Sequence, residues 1–579
     1  WEGSAPVTAI LGPFPRRQTA GEGGGLDWDQ ARFLVQSGTD VFQMQRVGSA
    51  WKISSSATFT VATGTRLHYT QASFSEADRY GVVTDLNKKE VVKSVYIDTA
   101  GAFVVADFAH NLGGTVDLYA KYSFIEDDRL WLANITTDTA GTVANTPHLI
   151  VASAREDLVT LSISNRPSSS LGAGDPFYLP TPDLKAVNGV VSALGYLIFS
   201  THKGSMFSLV GFSAVDFYFN RLYSQSGATG DLGVTYAGND ILYYSEGAVE
   251  SIAGTEAFGN VEVDDFSRPI KKSMALPFNE ATTDFTDAGG NDAPEATLAY
   301  FSAANTVFVS KKGEPFLWVM NKSFHDQRAK DVSLLKDGTK LSPWCKWTEE
   351  PHGSNTGGLL GLYSTTFYSG TSVRQTDKYF YNPIVFCPTA IRVPTDYETF
   401  SEDFQVREIQ TMLMGGADGV IYYVDPEYDA VNYYQYGLSA YVPDGSGTLE
   451  PDVTPYVEAC KVKYRSKVIK APSLRSMKEL TALVTYMPRR DVEPELTIAI
   501  EFQGRRRKTV TKTVTLENYP LPDSAGGGDT TEDHEEELAT FRRSELVSFP
   551  CTDATNMQVY LEWDDNLVEI VEIDFNVEA

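Results

Sequence analysis

The chain has 579 residues, with 48 Lys and Arg against 76 Asp and Glu, so its formal net charge is −28. A protein that holds nucleic acid through its overall field needs a basic surface to displace counterions from phosphate; this excess of acid excludes that mode and repels anionic lipid headgroups. At 42% hydrophobic and 21% charged residues the composition is globular, and the length allows about three to five domains at roughly 100–200 residues each.

Thirty Tyr and 31 Phe accompany 46 Gly and 27 Pro, a mixture of ring residues and turn formers that favours strands joined by tight turns over helices. From Thr39 to Tyr80 apolar and polar residues alternate between Gly and Ser turns, as half-buried strands require. The texture continues through KKEVVKSVYIDTAGAFVVADF and GTVDLYAKYSFIEDDRLWLANITTD, with breaks at the interval typical of a sandwich, barrel or propeller. Between Leu149 and Gly259 the bursts LIVASA, LVTLSIS, GYLIFSTHKG, MFSLVGFS and LGVTYAGNDILYYSEGAVESI predict a meander of antiparallel hairpins. Its turns fall at His202-Lys203-Gly204 and Gly238-Asn239-Asp240. Short helices are expected only over Asp264–Leu276, where Pro269 weakens the pattern, and Asp326–Lys336. Residues 277–296 read as an exposed insertion. Asp523–Glu537 holds seven acids and no Lys or Arg, the pattern of a mobile loop. After Arg543 nine acids follow with no further base, so the last strands present a negative face.

Nucleotide-binding loops, HExxH and GxSxG are absent from the sequence. Gly21-Glu22-Gly23-Gly24-Gly25 has no strand–helix context for cradling phosphate, and Ser333-Leu334-Leu335-Lys336 lacks the partner motifs that give SxxK meaning. The seven histidines, His68, His110, His148, His202, His325, His352 and His534, stand singly and read as surface residues, with no metal site. Cys345, Cys387, Cys460 and Cys551 fit neither a zinc pattern nor a compact disulfide framework; reduced, mostly buried thiols made in a reducing compartment are expected. Glu126-Asp127-Asp128, Asp264-Asp265 and Asp564-Asp565 read as solvated turns, although two carboxylates about 5–10 Å apart would suffice for a glycosidase. Asn134-Ile135-Thr136 and Asn321-Lys322-Ser323 match the glycosylation triplet without a secretion signal. No run reaches the roughly 18 apolar residues of a membrane span. Trp1 in place of Met implies numbering from within a longer or processed chain. The most basic feature is Arg505, Arg506, Arg507 and Lys508, on a turn between the strand-like LTIAIEF and TVTKTVTLE. It is either a solvated edge that discourages aggregation or a contact for an acidic partner.

From Phe124 to Lys271 the ordered features DDRLWLANI, PHLIVASAREDLVTLS, VNGVVSALGYLIFSTHKGSMFSLVG, GVTYAGNDILYYSEGAVESI and DDFSRPI resemble the tail nozzle or tail hub (tail tubular protein B-like) proteins of short-tailed bacteriophages. NTVFVSKKGEPFLWVMN, the Trp344 and Trp347 pair, and the Gly-Ala-Asp-Gly turn ahead of a Tyr-rich strand extend the likeness, which covers about residues 120 to 480. The resemblance implies an all-β chain, a β-propeller with an additional β-sandwich-like domain and few short helices. Residues 1–120, ahead of the likeness, read as an N-terminal β region, 121–440 as the propeller, and 441–579, mostly beyond it, as a sandwich-like domain with the acidic loop 523–537. It further implies a structural virion protein without catalytic, cofactor or metal residues, made in the host cytoplasm and placed in the tail. Copies would form a homohexameric ring that docks adaptor or portal proteins and fibres while double-stranded DNA passes through the lumen. Six copies would carry 6 × −28 = −168, a wall to which phosphate would not stick; a lumen lined mainly by Lys and Arg would contradict this. The competing expectations are a glycan-binding adhesin and a carboxylate-dependent polysaccharide hydrolase on a propeller.

Overall fold

Alternating apolar residues and turns bearing Gly, Asn or Asp become antiparallel strands through most of the described chain. The computed structural model describes residues 7–19, 25–47, 50–72, 80–193, 196–202, 204–223, 227–238, 240–245, 247–254, 261–264, 267, 270, 274, 296–311, 317–322, 344–347, 384–394, 406–415, 421–423, 439–440, 461–465, 469–470, 479–488, 495–504, 507–516, 543–550, 554–564 and 568–578.

The first nine strands are β1 (Val7–Arg17), β2 (Leu26–Ser37), β3 (Asp40–Val47), β4 (Ala50–Ile53), β5 (Phe59–Thr60), β6 (Leu67–Ala72), β7 (Tyr80–Asp85), β8 (Lys93–Ile97) and β9 (Phe103–Asp107). They make one sheet ordered β4-β3-β2-β1-β8-β7-β6, with β5 on β3 and β9 on β8. Among the described strand pairs of this sheet, only β1–β8 is parallel.

Five four-stranded sheets follow, each in chain order. The first contains β10 (Val116–Glu126), β11 (Arg129–Thr139), β12 (Thr142–Ala152) and β13 (Phe177–Pro180); the second β14 (Val187–Ala193), β15 (Tyr196–Thr201), β16 (Met206–Val210) and β17 (Tyr218–Tyr223). The third has β18 (Val234–Ala237), β19 (Asp240–Ser245), β20 (Ala248–Gly254) and β21 (Val261–Asp264); the fourth β22 (Ala296–Phe301), β23 (Thr306–Lys311), β24 (Leu317–Asn321) and β25 (Trp344–Trp347). The fifth comprises β26 (Val385–Pro394), β27 (Val406–Gly415), β28 (Ile421–Tyr423) and β29 (Ser439–Ala440). The succession is propeller-like.

Local chemistry sets these hairpins. Asp127 and Asp128 join β10 to β11 with φ of 51° and 53°, a two-residue turn whose twist matches the strands it links. Arg155 lies 3.4 and 3.3 Å from their carboxylates, so this acidic cluster is a turn, as expected. The near-continuous apolar run of β11 is buried on both faces: Leu130, Leu132 and Ile135 enter one core, Trp131 and Ala133 the next. LVTLSIS is a correction. It is loop, because side chains capture the backbone that a strand would need. Asp157 Oδ1 accepts from Val159 and Thr160 N–H at 3.0 and 3.3 Å, and Asn111 Oδ1 from Leu161 N–H at 2.8 Å. Leu158 and Leu161 are still buried, which is what the sequence pattern detected.

Consecutive sheets share cores. Val82 and Val92 of the N-terminal region pack with Leu118 and Leu130. Trp131 packs with the second sheet through Leu197 and Phe199, Ile198 with Ile241 of the third, and Leu242 with Leu298 of the fourth. Phe308 stacks on Phe386 of the fifth at 5.9 Å. Val7, Ile10 and Phe33 of the N-terminal sheet pack with Val385, Cys387 and Leu413. There, a Cβ on Gly415 would collide with Val7.

The described strands fall in two compact units, β1–β28 in the first and β30–β37 in the second, with β29 at the boundary. The second unit contains β30 (Lys461–Arg465), β31 (Ile469–Lys470), β32 (Glu479–Pro488), β33 (Glu495–Gly504), β34 (Arg507–Thr515), β35 (Arg543–Pro550), β36 (Ala554–Asp564) and β37 (Val568–Glu578). One sheet is ordered β30-β36-β33-β34, with β31 also on β36; the other is β35-β32-β37. Leu480, Ala482, Val484 and Tyr486 of β32 share a core with Leu496, Ile498, Ile500 and Phe502 of β33. This spacing of two makes a β-sandwich.

The expected helix at 326–336, the segments 277–295 and 523–537, and Ser333–Lys336 lie outside the described residues. Of the other expected helix, Ile270 N–H donates to Ser267 C=O at 2.8 Å and Met274 N–H to Ile270 C=O at 2.9 Å. Cys387 is a buried free thiol, its pKa pushed up to about 12 by burial.

Candidate functional sites

Strands from all six sheets of the first unit border a cavity of about 130 Å³. His68 of β6, Tyr122 of β10, Val190 of β14, Val234 of β18, Leu298 of β22 and Phe386 of β26 line it, with Asp231 from the segment before β18. Its polar side is a network of charges. Lys121 Nζ donates to Asp231 Oδ1 and Oδ2 at 3.0 and 2.9 Å, and Tyr122 OH donates to Asp231 Oδ1 at 3.1 Å. Burial first, and the Asp231 charge second, raise the Tyr122 pKa well above its ordinary value.

Lys88 contributes to the same field from the loop between β7 and β8. Its Nζ donates to Asn134 Oδ1, Thr136 Oγ1 and Asn145 Oδ1 at 3.0, 3.0 and 2.8 Å. Burial, then repulsion by Lys121, lowers its pKa to about 8. Lys88 and Asn134 both hold positive φ, 55° and 60°, a backbone cost accepted where the ammonium needs three acceptors in place of water.

His68 corrects the expectation of a surface histidine. It lies in a strand, its ring edge-on to Tyr122 at 5.8 Å, and its Nδ1 is buried without a partner among the described residues. Burial lowers its pKa to about 4. The ring borders the cavity, so part of it meets a water-sized space while the nitrogen is enclosed.

The cluster offers little chemistry. Asp231 is the only carboxylate among the described residues that line the cavity, and both its oxygens are taken, so these residues do not form the two-carboxylate geometry of glycoside hydrolysis there. The Asn134-Ile135-Thr136 triplet is likewise occupied: Asn134 is 3% exposed, and its Nδ2 donates to Val187 C=O at 2.8 Å. No sequence pattern marked His68, Lys88, Lys121 or Asp231 as a group, because strands far apart in the chain bring them together.

The basic turn is a hairpin, as expected. Gln503 pairs with Arg507 and Phe502 with Lys508 across β33 and β34; Arg505 and Arg506 lie outside the described residues. The Arg507 side chain is 80% exposed, with Nε 3.7 Å from Glu501 Oε1. Lys508 and Lys512 are exposed on the same edge strand.

No protein-family model matches the chain, and no curated protein matches it. Similar solved structures include the computationally designed Ika8 protein, at TM-score 0.30 and 8% identity over 72% of this chain and 96% of that one. An exo-beta-1,3-galactanase from Phanerochaete chrysosporium with beta-1,3-galactotriose gives TM-score 0.26 and 9% identity over 92% and 100% of the two chains. The SapL1 lectin in complex with alpha methyl fucoside gives 0.28 and 13% over 55% and 94%. At these TM-scores the likenesses carry no functional argument.

Proposed function

We propose that the chain is a structural component of a short bacteriophage tail, a nozzle-type subunit whose copies form a ring around the exiting genome. The observation that carries this reading is the order of strands. DDRLWLANI falls on β11, PHLIVASA on β12, VNGVVSALGYLIFSTHKGSMFSLVG on β14–β16 and GVTYAGNDILYYSEGAVESI on β18–β20, on three consecutive four-stranded sheets. On this reading the six sheets close as a propeller, with β1 and β26 as the clasp.

The central chemistry supports a structural role. Its carboxylate is engaged by Lys121 and Tyr122 and the Lys88 ammonium by three neutral oxygens, and a space of about 130 Å³ is far too small for a duplex. The DNA path therefore runs between copies rather than through one chain. Tail adaptor, portal and fibre proteins are the expected neighbours in the virion. Class-averaged images of the purified full chain test the reading: rings with a hole of duplex width are expected, and discrete monomers at every concentration would contradict it.

One observation favours a glycan-binding adhesin as the second reading. Tyr196, Phe212 and Tyr218, which are 49%, 84% and 57% exposed, gather at one end of the β14–β17 sheet, where rings can stack on sugar faces. Glycan-array binding lost in Phe212→Ala and Tyr218→Ala would support it. Sugar released from host polysaccharide would instead favour a hydrolase.

A further inference from the structure

The turn between β16 and β17 holds an exposed aromatic side chain on a backbone with little freedom. Phe212 is 84% exposed, yet the chain on either side of it is fixed. Gly211 takes φ of 133°, and a Cβ there would stand 2.7 Å from Phe217 Cα, so only glycine makes this approach. Ala214 and Phe217 are buried in the core shared with Trp131 and Phe177, while Val215, Asp216 and Tyr218 face solvent.

Asp216 closes the turn. Its Oδ1 accepts from Phe212 N–H at 3.2 Å, from Ser213 N–H at 2.9 Å and from Ser213 Oγ at 2.9 Å. These donors, the Ser213 hydroxyl first, hold the Asp216 carboxyl below its ordinary pKa. The loop between β12 and β13 braces the same turn: Ala214 N–H donates to Ala173 C=O at 3.2 Å, and Ser168 N–H to Ala214 C=O at 3.3 Å. Ala173 C=O also accepts from Nη2 of the buried Arg129 at 2.7 Å, so the brace is itself tied down.

Leu197 pairs with Leu209, and Val210 with Tyr218. One residue further along that register, Tyr196 stands beside Val210, which puts the two tyrosines on one face, two strand spacings or about 9.6 Å apart. Flat rings suit the C–H face of a sugar, and the two phenol hydroxyls suit its hydroxyl groups. Asp216 is the one charged residue between Val210 and Asn220, and its Oδ1 is spent on the turn.

We infer that Asp216 is the positioning residue of a glycan-binding surface, holding Phe212 at the same end of the sheet as Tyr196 and Tyr218 in the orientation that stacks on a sugar. The inference rests on the glycan-binding reading above and not on the assembly of copies. An aromatic side chain fixed before binding loses little freedom when the sugar arrives, which is how a pre-formed turn adds affinity. Asp216 acts through the turn and does not itself touch the sugar.

The full wild-type chain and four variants are titrated over an array of neutral and acidic oligosaccharides, and each is melted thermally. Phe212→Ala is expected to lose binding. Asp216→Ala weakens it about three- to tenfold, the cost of ordering a freed side chain, with an unchanged melting temperature. Ser213→Ala, which removes one of the three bonds, falls between Asp216→Ala and wild type. Asp216→Asn keeps an acceptor oxygen and binds as wild type does. Where Asp216→Ala lowers the melting temperature, the Ser213→Ala and Asp216→Asn results decide. If Phe212→Ala loses binding while Asp216→Ala and Ser213→Ala bind as wild type, the positioning role is wrong and the glycan-binding reading stands. Asp216→Asn as weak as Asp216→Ala would also overturn the role, since charge rather than the acceptor would then matter. A wild type that binds nothing on the array overturns the reading and the inference together.

Discussion

In the first unit Lys88 and Lys121 are drawn inward and engaged by oxygens of the chain itself; in the second, Lys508 and Lys512 stand along an exposed edge strand. Among the described residues no carboxylate lies within ion-pair distance of Lys508 or Lys512. The difference teaches where a net charge of −28 leaves its cations. Desolvated ammonium groups must be paired or ringed by acceptors, so the inner cations are committed to stability. The outer ones cost nothing to hold in water and remain available to a partner.

The largest expected effects lie in the cores. Trp131→Ala removes a 1% exposed ring that contacts Phe124, Phe177 and Phe217; a loss of about 3–5 kcal/mol is expected in denaturant melts. Leu546→Ala in the second unit, at 62% exposure, should change stability by less than about 0.5 kcal/mol.

His68 gives the next largest effect, through pH. Its pKa is about 4 in the fold against an ordinary 6.5, so the unfolded chain binds the proton more readily. The stabilisation is complete above pH 6.5 and is lost as pH falls from 6.5 to about 4, up to about 3 kcal/mol. His68→Phe should flatten the melt-versus-pH curve in that window; an unchanged slope would contradict the assignment.

Asp231→Ala strands Lys121 and the Tyr122 hydroxyl. With both charged partners about a quarter exposed or less, the expected cost is about 2–3 kcal/mol, against less than about 0.5 kcal/mol for Lys508→Ala. Equal costs in thermal or chemical unfolding would erase the distinction between inner and outer cations. Arg155→Ala, which removes an exposed pairing with Asp127 and Asp128, should cost less than about 1 kcal/mol.

Much of the fold was legible because strands announce themselves locally. GYLIFSTHKG, DILYYS and the LTIAIEF–TVTKTVTLE hairpin each carry their alternation and turn within a few residues. LVTLSIS misled, since its spacing fits a strand equally well and only the Asp157 and Asn111 side chains divert the backbone. The central cluster was not legible at all. His68 and Asp231 are separated by two sheets of chain, and no periodicity reports that β6 and the segment before β18 converge. In the sandwich the basic turn and the acidic C-terminal strand stood out, but only the sheet order showed that β34 and β37 are both edges.

The mass of the full wild-type chain, measured at rising concentration, tells a ring of copies from a single chain. A ring predicts a closed multiple of 63.6 kDa, 6 × 63.6 = 381.6 kDa for six copies. A constant 63.6 kDa across all conditions would contradict it.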